Sequence, residues 1–402
     1  MVETKANAAV VFTGSQRELA GILLRGYALL VPTIGLYRFW LTSWKRRFYW
    51  SHTSIGGDRL EYTGDASQLM LGFLLALAVF VPLYGIFFYL STLSSEAALI
   101  GYGAIGIFVW FLSGYAIYRA RDFRLSRTLW RGIRFDQGGS AWGYAWRRFG
   151  WSVLMIMTGG LVYPFMAANL WRYRYCNTWY GDRQFGFTGN WRQIAWPYYL
   201  SYMAVLIITV LSIWNGAGSG IFPFGLASFN PSALPPLATG AAFCALWVLF
   251  YQSREISRMF SAVRLGSAEL TVHIRARSLL WIYGQFALAL LGTFVLLLVG
   301  GAIVLGSLAA DAFADNHFDA QIFLGYLQSS IATVIAFVLG YLLLLGAFTA
   351  TKELFIGYGF WRLVAQGADI SGLQSLENVQ ARAEDKALLG EGLADALNVG
   401  AY

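Results

Sequence analysis

The stretch TIGLYRFWLTSWKRRFYWSHTSIGGDRLEYTGD, residues 33–65, recurs as TGGLVYPFMAANLWRYRYCNTWYGDRQFGFTGN, residues 158–190, at a constant offset of 125. Because the two copies align without a gap over their whole length, the sequence predicts an internally duplicated protein. Shorter echoes, RGIRFDQG (131–138) and VRLGSAELTV (263–272), have a Gly turn followed by alternating residues, the period of a short strand or extended segment. The matched positions are Thr33/Thr158, Gly35/Gly160, Leu36/Leu161, Arg47/Arg172, Thr53/Thr178, Gly56/Gly181, Thr63/Thr188 and Gly64/Gly189.

The composition around these copies is that of a polytopic membrane protein. Of 402 residues, 57% are hydrophobic and 12% are charged, and the mean hydropathy is +0.54. Such values are untypical of soluble domains. The two cysteines, Cys176 and Cys244, lie in different segments and form neither a metal-binding spacing nor a disulfide framework. We therefore expect an all-α fold, a polytopic helical membrane bundle.

Six apolar runs without Lys, Arg, Asp or Glu have about the length that a helix needs to cross the hydrocarbon core. Two further apolar segments, 19–37 and 151–170, each contain a Gly/Pro break and are followed at once by Arg and aromatic residues. We call these the broken segments. The six runs are 69–90, 97–118, 193–214, 237–252, 279–308 and 321–350.

The basic residues set the predicted orientation, because Lys and Arg resist translocation. If the six runs cross and the broken segments do not, all 29 Lys and Arg residues lie on the cytoplasmic side. This predicts three hairpins with both termini cytoplasmic, and broken segments that are re-entrant or interfacial. A crossing by 19–37 remains an alternative, since it would move only a short N-terminus outside. The basic stretches are 1–25, 38–59, 119–148, 171–192, 253–277 and 352–402.

This organisation divides the chain into a first repeat unit (1–130), a second (131–252), a degenerate third (253–360) and a cytoplasmic tail (361–402). In the tail, Leu373, Leu376, Val379, Leu388 and Leu389 have spacings compatible with a short amphipathic helix. Docking on the basic face, binding of a protein partner and a solvated tail are the alternatives for it.

The two copies also carry a family resemblance. FTGSQRELAGILL, LLVPTIGLYRFW and KRRFYWSHTSIGGDRLEYTG, with TGGLVYPF and LWRYRYCNT of the second copy, resemble the YjgN-like bacterial inner-membrane family, a domain of unknown function. The resemblance covers most of residues 11–350 and implies a bacterial cytoplasmic-membrane location. The sequence departs from the family in having Arg38 where Pro is usual in the first copy, whereas Pro164 keeps it in the second.

Motifs for enzymatic chemistry are weak. GYGAIG (101–106) matches a dinucleotide-loop pattern but lies inside an apolar run without a preceding strand, which favours close helix packing. The loop DAFADNHFDA (311–320) offers Asp311, Asp315, His317 and Asp319 as metal ligands, although a solvated acidic loop is the simpler interpretation. We predict no catalytic, cofactor or metal site, and therefore no enzyme.

Basic aromatic runs are the strongest local signal, because Trp favours the headgroup zone and Lys/Arg clusters attract anionic lipid. We predict contact with membrane lipid, anionic at the cytoplasmic face, and favour plain interfacial anchoring over a specific lipid or phosphate site, which remains the alternative. Nucleic acid is not expected, since these residues adjoin the membrane. The predicted lipid-headgroup contacts are Trp44, Lys45, Arg46, Arg47, Trp146, Arg147, Arg148, Arg172 and Arg174.

The duplicated breaks favour a channel-like or carrier-like protein for a small solute or lipid, since transporters use broken helices at their binding sites. The alternative is a non-enzymatic scaffold or accessory subunit that interacts with lipid or a partner protein. Arg25, the one charge inside an apolar segment, faces either the headgroups or the protein interior. The predicted pathway or hinge residues are Arg25, Pro32, Gly35, Gly160, Pro164 and Asn169.

Overall fold

The computed structural model describes residues 7–30, 32–92, 95–218, 234–308, 311–312 and 319–382. Within these ranges, long apolar helices alternate with ten short strands that close into one antiparallel barrel. The predicted all-α helical membrane bundle is therefore wrong as a fold class. The linkers between the helices, two of which suggested short extended segments, pair with one another into a barrel.

The strands are three to six residues long and most are joined by two-residue turns. The turns Gly56–Gly57, Arg131–Gly132, Gly181–Asp182 and Gly266–Ser267 connect strand pairs whose flanking residues are register partners. The first turn residue has a positive φ in all four (60°, 52°, 53° and 59°). Three of these residues are glycines, which adopt such values without steric cost, and the fourth is Arg131. The strands are β1 (Asn7–Phe12), β2 (Thr53–Ile55), β3 (Asp58–Tyr62), β4 (Thr128–Trp130), β5 (Ile133–Gln137), β6 (Thr178–Tyr180), β7 (Arg183–Phe187), β8 (Val263–Leu265), β9 (Ala268–Val272) and β10 (Ala368–Ser371).

The barrel is assembled from five strand pairs, each of which flanks one helical excursion of the chain. The pairs are β1–β2, β3–β4, β5–β6, β7–β8 and β9–β10, and pairing of β1 with β10 closes the ring. Each excursion therefore leaves and re-enters the barrel at one end, the helix end, whereas the four two-residue turns lie at the other, the turn end. It follows that each broken segment also returns the chain to the barrel it came from.

The helices of the excursions are α1 (Gln16–Leu30), α2 (Arg38–Ser51), α3 (Ala66–Ser91), α4 (Ser95–Leu125), α5 (Ala141–Met157), α6 (Tyr163–Cys176), α7 (Trp191–Gly218), α8 (Leu234–Phe260), α9 (Ala276–Leu308), α10 (Ala320–Ser329), α11 (Ile331–Lys352) and α12 (Tyr358–Gln366). A π-helical turn, Glu353–Gly357, joins α11 to α12. The offset of 125 holds for the starts of α1 and α5, α2 and α6, β2 and β6, β3 and β7, and α3 and α7. The duplication therefore extends through the whole first helical excursion and into the next helix.

The barrel interior is filled by side chains. Trp130, Tyr180 and Leu265 from the strands pack with Leu376 and Val379 from the segment after β10. Tyr180 is fully buried and its hydroxyl donates to the Trp130 carbonyl at 3.0 Å. Burial raises the pKa of Tyr180 to about 12. Within the described residues, the barrel is thus a packed core and not a pore.

The segment 373–382 lies across the turn end of the barrel. The Asp182 amide donates to the Gln380 carbonyl at 2.9 Å, and the Gln380 amide donates to Asp182 Oδ1 at 3.1 Å. The Arg382 guanidinium lies 4.6 Å from the centroid of the Trp179 ring. The first part of the sequence-predicted tail is therefore a structural part of the barrel, and residues 383–402, including Leu388 and Leu389, lie outside the described residues.

Five equivalent hydrogen bonds fix the corners where strands pass into helices. In each, a backbone N–H just beyond an odd-numbered strand donates to the carbonyl just before its even-numbered partner. Short cross-strand bonds at this position hold the two ends of an excursion together. The bonds are Thr13 to His52 (3.0 Å), Thr63 to Arg127 (2.9 Å), Gly138 to Asn177 (2.8 Å), Thr188 to Ala262 (2.9 Å) and His273 to Gly367 (2.8 Å).

Among the residues that the structure describes, six helices are long and apolar enough to cross a membrane, the number of crossings that the sequence predicts. Five overlap the predicted runs closely. The sixth begins at Ile331, because the Ser330 hydroxyl accepts from the Thr333 amide and caps a new helix there. The six are Ala66–Ser91, Leu99–Leu125, Trp191–Asn215, Pro235–Phe260, Ala276–Val304 and Ile331–Gln366.

The chain forms two compact units. The first contains Met1–Gly14, Leu36–Ala276 and Leu363–Tyr402, and so holds the whole barrel and α2 to α8. The second contains Ser15–Gly35 and Arg277–Arg362. In the second unit, the Gln16 side-chain amide donates to the Leu354 carbonyl at 3.1 Å, within the π-helical turn.

Candidate functional site

The first break lies between α1 and α2. Gly35 has a φ of 82° and donates its amide to the Leu30 carbonyl at 2.8 Å, and Ile34 has a φ of 51°. Positive φ is strained for a branched residue such as Ile34. Pro32 and Arg25 are exposed, and no described polar contact gathers them into a site.

The second break, between α5 and α6, has a polar neighbourhood. Gly159 and Gly160 have φ values of 59° and 98°. The carbonyls of residues 159, 160 and 161 accept hydrogen bonds from Tyr202, Tyr198 and Tyr199 of α7, at 2.8, 2.7 and 3.0 Å. The hydroxyls of Tyr202 and Tyr199 satisfy carbonyls that the interrupted helix leaves free, whereas the Gly160 carbonyl also accepts from the Tyr163 amide at 3.1 Å. We call this set the tyrosine clasp.

A carboxylate lies beside the tyrosine clasp. The hydroxyl of Tyr163, the first residue of α6, is 3.2 Å from both carboxylate oxygens of Glu255 on α8. The ring of Tyr163 stacks on Tyr198 with a centroid distance of 5.1 Å, and Tyr251 packs against both rings. Burial and the negative charge of Glu255 raise the pKa of Tyr163 above its usual range. Tyr163 therefore stays a neutral donor to this carboxylate.

Three arginines from α4, α5 and α6 interact electrostatically with one another through Arg174, which also acts on this carboxylate. Arg174 is the charged neighbour of Glu255, and it also acts electrostatically on Arg121 and Arg148. Burial lowers the pKa of Arg148, and the positive charge of Arg174 lowers it further. We call Arg121, Arg148 and Arg174 the arginine cluster.

Arg121 is held by the barrel and by α6. One of its Nη atoms donates to Thr178 Oγ1 at 2.9 Å, to Gln137 Oε1 at 3.1 Å and to the Arg174 carbonyl at 3.3 Å. Its guanidinium lies 4.7 Å from the centroid of the Tyr175 ring. These contacts fix the guanidinium at the helix end of the barrel, where β5 and β6 pair.

Other predicted lipid contacts have different positions. Arg47 and Arg172 donate to the carbonyls of Gly64 and Gly189 at 3.3 and 3.2 Å, which makes them equivalent supports of the corners before α3 and α7. Arg46 donates to the Tyr62 hydroxyl at 2.9 Å. The remaining predicted contacts are exposed or half-buried at the surface, namely Trp44, Lys45, Trp146 and Arg147.

The structure brings Gly160, Pro164, Arg148 and Arg174 of the predicted residues into one region, while Asn169 is exposed on α6. Sequence reasoning missed Tyr163, Tyr198, Glu255 and Arg121. A signal was present, since α7 carries Tyr198, Tyr199 and Tyr202 where the offset of 125 places Phe73, Leu74 and Leu77 on α3.

The acidic loop 311–320 does not contribute to this region. Within the described residues, no group of three or more His, Cys, Asp or Glu side chains could hold a metal ion. Asp315 and His317 of the acidic loop lie outside those residues, and Asp319 caps α10 by accepting from the amides of Gln321 and Ile322.

An apolar cleft of about 480 Å³ lies between α3 and α4, lined by Phe73, Leu77, Ile105 and neighbouring apolar side chains.

Comparison with known proteins yields a family and no characterised relative. No curated protein and no solved structure matches the chain. The model of one family, described as a bacterial protein of unknown function (DUF898), matches residues 7–396, which is nearly the whole chain, and confirms the resemblance to the YjgN-like family. The chain belongs to this bacterial family.

Proposed function

We propose that this protein is a membrane carrier for a small solute or lipid, and that the second break is its moving part. The observation that carries this proposal is the tyrosine clasp with its adjoining Tyr163–Glu255 hydrogen bonds. A carboxylate at the end of an apolar helix long enough to cross a membrane is costly, and such groups are kept mainly for function.

The clasp suits a conformational change. Two consecutive residues with positive φ, Gly159 and Gly160, interrupt the helix, and side-chain hydroxyls hold the carbonyls that the interruption frees. Hydroxyl bonds exchange partners more easily than a continuous helical ladder does. Carriers use such discontinuous helices at their binding sites.

The packed barrel argues against a channel along its axis. Trp130, Tyr180 and Leu376 fill the interior, so a carried molecule would pass along the helices and not through the barrel. This supports a carrier over a channel.

We also propose that the protein resides in the bacterial inner membrane, with the barrel and both termini in the cytoplasm. All five helical excursions start and end at the barrel, and its strands and corners contain many of the basic residues. Cytoplasmic retention of Lys and Arg favours this orientation. A cysteine introduced in place of exposed Arg183 should react with a membrane-impermeant thiol reagent in inverted membrane vesicles and not in intact cells. Labelling of this cysteine in intact cells would contradict the proposed orientation.

Transport is tested with the purified full chain in proteoliposomes. We expect transbilayer movement of fluorescent phosphatidylglycerol, or uptake from a panel of labelled small solutes, to exceed that of empty vesicles. Glu255→Gln and Tyr163→Phe should reduce this movement at least tenfold. Gly85→Ala is the matched control, because a methyl group at Gly85 meets no atom within 4 Å. Wild-type vesicles without flux for any probe would contradict the proposal.

A scaffold is the second candidate, favoured by the closure of the barrel. Pairing of β1 with β10 joins strands from opposite ends of the chain around a filled core, a rigid arrangement suited to holding a partner. If this were the function, purification from native membranes would recover a stoichiometric partner protein, and the flux assay would be negative.

A further inference from the structure

The arginine cluster contains more positive charge than the described residues nearby compensate. Arg174 interacts electrostatically with the carboxylate of Glu255. Asp122, next to Arg121 in the chain, instead pairs with Arg119 at 2.9 Å. Desolvated like charges oppose one another, and proteins usually keep buried charges paired. The excess of positive charge therefore calls for an anion.

A donor in the cluster also lacks an acceptor. Arg174 Nε is buried and makes no hydrogen bond within the described part of the chain. A buried donor without a partner costs about 1–3 kcal/mol. Guanidinium groups bind phosphate oxygens through paired N–H groups, so a phosphate group fits both the charge and the missing acceptor.

The fold itself does not require these arginines. At the offset of 125, Arg148 and Arg174 correspond to Leu23 and Tyr49 of the first copy. Strands β4 and β8 set an offset of 135 between α4 and α8, and at this offset Arg121 corresponds to Ile256. Equivalent positions thus hold uncharged side chains in the same kind of helix. By contrast, Arg47 and Arg172 are present in both copies and support the same corner.

We propose that Arg121, Arg148 and Arg174 form a binding site for a phosphate group, borne either by an anionic phospholipid or by a soluble phosphate compound. This inference rests on the proposed carrier function and names the chemical class of its substrate. The site adjoins the tyrosine clasp through Arg174 and Glu255, which places the bound anion next to the part that moves.

Binding is tested on the purified full chain in nanodiscs and in detergent. Native mass spectrometry should show phosphatidylglycerol retained over phosphatidylcholine. Arg148→Leu and Arg174→Tyr, which introduce the first-copy residues, should each weaken this retention about tenfold, the effect of losing one charge-assisted contact worth about 1.4 kcal/mol. Arg183→Leu is the control, because it removes the same charge from an exposed arginine of β7 at the turn end of the barrel, and it should change retention less than twofold.

A second arm distinguishes the sources of the phosphate. If the ligand is soluble, inorganic phosphate or glycerol 3-phosphate should raise the melting temperature of the detergent-purified wild type and not that of Arg148→Leu. If it is a lipid, only phosphatidylglycerol should do so. Folding of each variant is checked by its elution as a single species, and Arg174→Lys, which keeps the charge, should show an intermediate loss.

The inference is overturned if folded Arg148→Leu and Arg174→Tyr bind all three probes as the wild type does. Failure of the carrier proposal has a different signature, because binding in nanodiscs requires no transport. Arginine-dependent retention of phosphatidylglycerol without flux would contradict transport and support the site. Flux with binding unchanged in the variants would support the carrier and remove the site.

Discussion

The two breaks share a backbone and differ in their chemistry. In the first copy, α2 begins with Arg38, whose guanidinium lies 5.0 and 4.5 Å from the ring centroids of Phe39 and Phe73. In the second copy, α6 begins with Tyr163, which binds a carboxylate, and three hydroxyls from α7 hold the break. The duplication thus preserved the helix–break–helix path and placed the polar groups on one copy. This difference is why we assign the candidate site to the second break.

Arg38 of the first copy and Pro164 of the second copy are not equivalent residues. Both α2 and α6 start at positions related by an offset of 125, so Arg38 corresponds to Tyr163, and Pro164 to Phe39. Pro164 occupies the first turn of α6, where its missing N–H costs nothing. The absence of proline in the first copy therefore leaves the start of α2 intact.

The largest difference between the copies should appear in the barrel core, at Tyr180 and its counterpart Ile55. Tyr180→Ala removes a fully buried ring and a hydroxyl that binds the Trp130 carbonyl, and should lower the free energy of unfolding by about 3–5 kcal/mol. Ile55 is only partly buried, so Ile55→Ala should cost about 2 kcal/mol. Denaturant titration of both variants in the same detergent measures the two values. Equal losses would mean that the two copies contribute alike to the core.

The sequence predicts the helices of this fold far better than the barrel. Runs such as 69–90 and 279–308 are identified by length and lack of charge alone. Strands of three to five residues, such as β4 and β8, are too short to establish a period of two, and their partners lie beyond a long helical excursion. Pairing between distant short segments is a tertiary property that local patterns do not encode.

The candidate site was predictable in part for the same reason. Gly160 and Arg174 stand out in the sequence because they belong to a duplicated break and a basic aromatic run. Glu255 and Arg121 do not, since they join the site only when α4, α6 and α8 meet. A residue-by-residue comparison of the two copies would have identified the tyrosine clasp, because tyrosines of the second copy stand in place of apolar side chains at three positions of a single helix.

A loss of stability of medium size is expected when hydroxyls of the tyrosine clasp are removed. Tyr198→Phe with Tyr202→Phe removes the donors to two break carbonyls, at a cost of about 1–3 kcal/mol for two hydrogen bonds in a membrane protein. Hydrogen exchange should accelerate in residues 155–163 and remain unchanged in residues 30–38, the equivalent break. Tyr341→Phe is the control, because it removes a hydroxyl from an exposed tyrosine of α11. Unchanged exchange at 155–163 would show that the clasp does not hold the break.

A small and equal effect is expected where the copies agree. Arg47→Lys and Arg172→Lys each replace a guanidinium that donates to a corner carbonyl, of Gly64 and Gly189 respectively. Each should lower the free energy of unfolding by about 0.5–1.5 kcal/mol, the net value of one hydrogen bond. Both variants are measured by the same denaturant titration. A loss confined to Arg172→Lys would indicate that this arginine belongs to the site of the second copy and not to the shared fold.

The smallest effect concerns the helix caps, where the copies differ by one titratable group. Asp65 precedes α3 and accepts from the Ala66 amide at 2.8 Å and from the Ser67 hydroxyl at 2.6 Å. These bonds, together with the charge of Arg47, lower the pKa of Asp65 below its usual value. The equivalent residue before α7, Asn190, does not titrate. Because the folded-state pKa is the lower one, the stabilisation is present above about pH 4 and is lost as the pH falls through the folded-state value.

Asp65→Asn should therefore flatten the decline in melting temperature between pH 5 and pH 3, whereas Asn190→Asp should steepen it. The new carboxylate would lie beside Arg172 as Asp65 lies near Arg47, since both arginines bind the glycine carbonyl just before these caps. The exposed position of Asp65 keeps either change small, because solvent screens such charges. If Asn190→Asp did not change the decline in melting temperature at low pH, the two corners would differ electrostatically despite their shared hydrogen bonds. The two copies would then be equivalent in backbone structure only.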